Sequence, residues 1–187
     1  PNAQNTEPSA ITYKSVSTIS SLRAGTVGEY YQLTGEVVVT YARSSRNQKY
    51  IQDATGAILI DDNSGKITTS YVSGDGMTGL KGKLSEYNDL FQFIPGEDPG
   101  APSSSGNTIA PQTVTISNLI SDHETYESEI VKIENVTISE ANGTETFSSN
   151  TNYTITDGTN SMTLRTAFFE ASYIGEIIKT NPVTFNA

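Results

Sequence analysis

The sequence predicts an all-β fold of two small Greek-key barrels in tandem, and three observations carry that prediction. Forty-seven of the 187 residues are Ser or Thr and ten are Tyr, a composition that favours strands and turns over helices. Short β-branched and aromatic runs are punctuated by Gly, Asn and Asp turn signals along most of the chain. A series of short internal matches also recurs at offsets of 97 to 104 residues, the mark of a duplicated unit.

Residues 1–10 (PNAQNTEPSA) are small, polar and unpatterned and read as a flexible leader. They suit either a polar tether behind a removed signal peptide or an arbitrary boundary. Residues 15–22 can make one short helical turn. Residues 31–41 (YQLTGEVVVTY) are β-branched and aromatic and predict one long strand. Two short strands, 49–53 and 57–61, flank Ala54-Thr55-Gly56 as a tight hairpin. Residues 77–87 and 90–95 form another pair around Asn88-Asp89, and Gly79 and Gly82 predict a bulge or sharp bend there. Five strands, the first long and the sheet strongly bent, make a small closed barrel.

The repeat places a second barrel after the first. Ile19-Ser20-Ser21-Leu22 matches Ile116-Ser117-Asn118-Leu119, and Gly35-Glu36-Val37-Val38 sits opposite Ile133-Glu134-Asn135-Val136. Tyr50-Ile51-Gln52-Asp53 aligns with Thr154-Ile155-Thr156-Asp157, and Gly74-Asp75 with Gly175-Glu176. Between the halves, residues 96–106 are rich in Pro, Gly and Ser, a linker composition. The expected units are a first domain over 11–110, including a linker at 96–110, and a second over 111–187. Only eleven residues follow Glu176, so the second barrel is expected to be one strand short unless the N-terminal segment or a partner chain supplies it. Truncation of a longer chain is the favoured explanation.

Charge and residue inventory narrow the chemistry. With no Cys and one His, the chain offers no disulfide framework, thiol nucleophile or two-histidine metal site, so no enzyme, metal or cofactor is expected. A net charge of −10 argues against a globally basic nucleic-acid binder. The charge is unevenly spread: residues 1–110 hold eight basic and eleven acidic side chains, against three and ten over 111–187. Phosphate attraction is therefore confined to the first unit.

The motifs Gly35-Glu36-Val37, Tyr50-Ile51-Gln52-Asp53-Ala54-Thr55-Gly56-Ala57-Ile58 and Gly74-Asp75, followed by Leu80-Lys81-Gly82-Lys83-Leu84 and Tyr87, resemble those of an OB-fold. More narrowly, the chain resembles the tandem OB-like domains of Bacteroidetes-type secreted surface lipoproteins of unknown function. The likeness covers residues 30–95 well and the second unit weakly. It implies an exported protein in the periplasm or on the outer surface of a bacterium, lipid-anchored, and binding a ligand or nucleic acid through the first barrel.

OB-folds contact single strands through one sheet face and the neighbouring loops. The loop after the first strand gathers the chain's one basic concentration, Arg43, Arg46 and Lys49, between Tyr41 and Tyr50. Cations beside aromatic platforms are what phosphate attraction and base stacking require, so these five residues are the candidate ligand-binding site. Asp53 and Asp157 occupy matching hairpin positions and read as turn caps. Asp61-Asp62-Asn63-Ser64-Gly65 lacks the spacing of a calcium loop, Gly74-Asp75-Gly76 reads as a turn, and His123 lies in a polar stretch. The sequence thus supports a non-enzymatic binding module for single-stranded nucleic acid. The alternatives are a carbohydrate-binding module, for which abundant Tyr and an acidic pI are better suited, or a structural module pairing at the edge of its second barrel.

Overall fold

The structure, a computed structural model, describes residues 10–108 and 110–186; the expected leader falls outside them except for its last residue. The first half runs β1 Lys14–Val16, α1 Ile19–Arg23, β2 Tyr30–Leu33, β3 Val37–Ala42, β4 Lys49–Asp53, β5 Gly56–Ile60, β6 Gly76–Met77, β7 Leu80–Tyr87 and β8 Leu90–Pro95. The second runs β9 Gln112–Val114, α2 Ile116–Ser121, β10 Val131–Ile138, β11 Asn152–Thr156, β12 Ser161–Arg165 and β13 Val183–Asn186. The fold is all-β apart from these two short helices, and no described helix is long and apolar enough to cross a membrane.

Strands β1 to β8 form one curled sheet in the order β1-β2-β7-β8-β5-β4-β3-β6. β2 and β3 follow each other in the chain yet stand near opposite ends of that order, so the sheet curls into a half-barrel. The expectation of one long strand over 31–41 is corrected at this point. A Cβ on Gly35 would come within 2.1 Å of the Ser17 carbonyl oxygen, and Thr34 N–H donates to Val16 O at 2.8 Å. The chain leaves its ladder with β1 there and turns before β3 begins. Gly82 lies inside β7, where a Cβ would meet Ile94 O at 2.3 Å, whereas Gly79 precedes the strand in a turn.

Alternation along the strands fills the interior. Ile51, Ile58, Ile60, Leu80, Leu84 and Phe93 are fully buried, each contributing about 1.5–3 kcal/mol by leaving water. α1 plugs one end of the sheet with Ile19 and Leu22, three residues apart on one helical face. Thr18 caps it by accepting Ser21 N–H. Asp53 ties the helix to the β4–β5 hairpin by accepting Ile19 N–H at 2.8 Å and Thr55 N–H at 2.7 Å.

The Pro, Gly and Ser run after β8 is a different object from the flexible linker its composition suggests. Asp98 accepts from the backbone and hydroxyls of Thr68 and Thr69 and from Gly100 N–H. Ser103 N–H donates to Gly76 O, Gly76 N–H to Ser104 O, and Asn107 N–H to Gly74 O. Its small polar side chains bond the sheet, Ser103 and Ser104 to Glu36 and Ser105 to Asp75.

The second sheet is smaller, with order β12-β11-β10-β13 and β9 parallel to β10. It begins as the first does. β1 pairs parallel with β2 across α1, and β9 pairs parallel with β10 across α2, whose N-cap is again a Thr. Gly74 and Gly175, both at φ near +90°, each lead a two-residue exchange with a partner, Val39 in one case and Phe147 in the other. β13 takes on β10 the place that β7 takes on β2. Among the described residues nothing stands where β8 would. Ile116, Val136, Ile155 and Ile178 form the buried centre of this half.

Candidate functional site

The loop between β3 and β4 contains one turn of 3-10 helix, Ser45–Asn47, with Arg46 at φ 53° and Asn47 at φ 49°. This left-handed pair turns the loop's polar side chains back onto the sheet. Arg46 grips Asp61 through two nitrogens, and Asn47 donates to Asp62 at 2.7 Å and to Ile67 O at 2.8 Å. Lys49 is buried, and its ammonium donates to Asn47 Oδ1 and O. Burial pulls that ammonium below the usual lysine range, against the opposing pull of Asp62 and Asp98. Asp61 and Asp62 are thereby consumed as acceptors, and among the described residues no trio of His, Asp and Glu is arranged to hold a metal.

Arg43 points the other way. It donates to Ala167 O at 3.2 Å and to Glu170 at 3.4 Å, and its guanidinium lies 4.8 Å from the centre of the Phe168 ring. Tyr41 stacks on the same ring at 4.8 Å and Tyr50 meets it edge-on at 5.6 Å. Of the five residues singled out from the sequence, Tyr41, Arg43 and Tyr50 therefore converge. Arg46 and Lys49 do not join them, because each is drawn to the Asp61–Asp62 side of its strand.

The convergence point is one wall of a cleft of about 340 Å³ between the two sheets. Its other wall comes from the second half: Phe147, Phe168, Tyr173 and Phe185. Phe147 holds Tyr173 and Phe185 edge-to-face at 5.5 and 6.5 Å. Ser128, Glu129, Arg165 and Asn186 supply polar groups. Ser128 adopts φ 65°, and its buried Oγ has no hydrogen-bond partner among the described residues. Burial pushes Glu129 above the usual carboxylate range; Arg23 opposes this and Asp53 reinforces it. Burial likewise raises the phenols of Tyr41, Tyr50 and Tyr173.

The segment carrying Ser128 and Glu129 is fixed against the first sheet. Arg23 donates to Glu127 at 2.6 Å and to Glu124 O at 3.1 Å, and lies over Phe91. Glu127 accepts Phe91 N–H, and Gln52 accepts Ile130 N–H at 3.2 Å. Twelve of the residues lining this cleft lay outside the sequence's candidates, among them Ser128, Glu129, Phe147, Phe168, Tyr173 and Phe185. The one local signal is Ala167-Phe168-Phe169-Glu170-Ala171-Ser172-Tyr173, an aromatic cluster in a segment with no strand pattern.

The remaining candidates are structural. Asp157 accepts Thr159 and Asn160 N–H at 2.9 and 2.7 Å, capping the β11–β12 turn as Asp53 caps its own. His123 is exposed in a turn.

No protein-family model matches the chain, and no curated protein matches it. Among solved structures it is similar to the hypothetical protein ygiW from E. coli, at 14% identity and a TM-score of 0.36, over 48% of this chain and 89% of that one.

Proposed function

We propose that this chain is a non-enzymatic binding module of OB type, exported to a bacterial cell surface, that takes a carbohydrate in the cleft between its two sheets. The observation that carries the reading is the cleft's lining, where the rings of Tyr50, Phe147, Phe168 and Tyr173 stand with the polar side chains of Glu129 and Arg165. A sugar ring answers both features, with C–H faces to lay on aromatic rings and hydroxyls to pair with Glu129 and the tyrosine phenols. The volume lies in the range of small-molecule sites, about 300–1,000 Å³.

Contact with a nucleic-acid single strand through Tyr41, Arg43, Arg46, Lys49 and Tyr50 has less support. Arg43 and Arg46 already face carboxylates and Lys49 is buried, so little free positive charge remains to displace counterions from phosphates.

Calorimetric titration with neutral oligosaccharides, at low and at moderate salt, tests the proposal. Binding should be nearly independent of salt and should weaken in Tyr50→Ala. Single-stranded DNA that binds at low salt and is released by Arg46→Ala, with no neutral sugar bound, overturns it.

A further inference from the structure

We infer that the ligand is an oligosaccharide of at least two linked rings, because a second hollow adjoins the cleft, with Phe147 and Phe185 lining both. This deepens the carbohydrate reading and rests on it. The second hollow encloses about 290 Å³, and the same two rings, Phe147 and Phe185, line both spaces. Phe147 and Phe185 stand at 87° to each other with centres 6.5 Å apart, so the pair presents ring surface towards each side.

β13 borders both hollows. Asn186 lines the first, Phe185 lines both, and Val183 and Thr184 line the second. Four residues of strand run about 10 Å, a span that suits two linked rings. The second hollow also carries exposed polar side chains. Among the described residues, those of Glu176, Lys179 and Thr184 make no hydrogen bond, while Ile177 beside them is 56% exposed. Accessible donors and acceptors next to apolar surface suit the hydroxyl edge and the C–H face of a second ring.

The test is a titration series with β-1,4-linked oligomers of glucose, mannose, xylose and N-acetylglucosamine, each from one to four rings. In the series that binds, affinity should rise about tenfold or more from one ring to two, reflecting the added buried surface. Ile177→Ala with Lys179→Ala should remove that gain and leave the single ring's affinity unchanged. Both side chains are exposed, so the double variant should keep the parent's melting temperature. Equal affinity for one ring and for longer chains overturns the inference while leaving the carbohydrate reading standing, as does a length gain that survives the double variant. If no oligomer of any series binds, both fall.

Discussion

Arg43, just after the third strand, lies over the ring of Phe168 and joins the first sheet to the segment between β12 and β13. The guanidinium sits 4.8 Å from the ring centre while donating to Ala167 O and facing Glu170. Its side chain is only 12% exposed, so the interaction operates away from most solvent screening.

That contact is expected to carry measurable energy. Arg43→Ala and Phe168→Ala should each destabilise the protein, and the double variant should cost less than their sum. A partly desolvated cation–π contact supports a coupling of about 1–2 kcal/mol in a double-mutant cycle by urea unfolding. Additive losses would show that the ring and the guanidinium contribute independently.

The buried hydroxyl of Ser128 should cost the protein stability. Replacing it by Ala removes an unpaired buried hydroxyl, a change worth up to about 1 kcal/mol. Thermal unfolding should then rise by about 2–4 °C. A protein destabilised by Ser128→Ala has a partner for that hydroxyl in solution.

The half-barrel was legible in the sequence where local pattern decides structure. The Lys49–Asp53 and Gly56–Ile60 hairpin and the turn at Asn88-Asp89 appear where β-branched runs and turn residues place them. The break at Gly35 was not legible, since it depends on the Ser17 carbonyl arriving from another part of the chain. The bonds made by residues 96–106 were not legible either, because the partners of Asp98 and Ser103, Thr68 and Glu36, lie far away in the chain. The site was half legible for a related reason. Arg43, Arg46 and Lys49 look alike as a basic cluster, but their acceptors Glu170, Asp61 and Asn47 lie at quite different separations. Only the fold reveals which cation is already paired.

Acid should loosen the strap after the eighth strand. Asp98 is held well below the usual carboxylate range, chiefly by the Thr68 hydroxyl with the N–H groups of Gly100, Thr69 and Thr68, against the cost of desolvation. A carboxylate depressed in the folded state adds stability above its unfolded value, about 3.9, and loses it as pH falls towards the folded one. Melting temperature should therefore drop between about pH 4 and pH 2. Asp61 and Asp75 are depressed too and add to the slope. Asp98→Asn should lower stability at neutral pH and flatten the acid limb of the profile. An acid limb unchanged in that variant would assign the transition to the other carboxylates.

The close approach of β7 and β8 depends on a missing side chain at Gly82. A Cβ there would lie 2.3 Å from Ile94 O, 2.7 Å from Phe93 Cε1 and 2.9 Å from Pro95 Cα. Two of those three atoms are backbone and cannot rotate aside. Gly82 pairs with Tyr31 on one side and Pro95 on the other, so any shift disturbs two ladders together. Phe93, which would have to move, is fully buried at the centre of the core. Gly82→Ala should therefore cost about 3 kcal/mol or more, at the upper end of overpacking effects. Gly143 is the control. It has φ +87°, with nothing within 4 Å of where a methyl would sit, so Gly143→Ala carries only the left-handed backbone penalty, about 1–2 kcal/mol. Urea midpoints for the two variants decide the matter. Equal losses would mean that β7 and β8 can separate enough to admit a methyl.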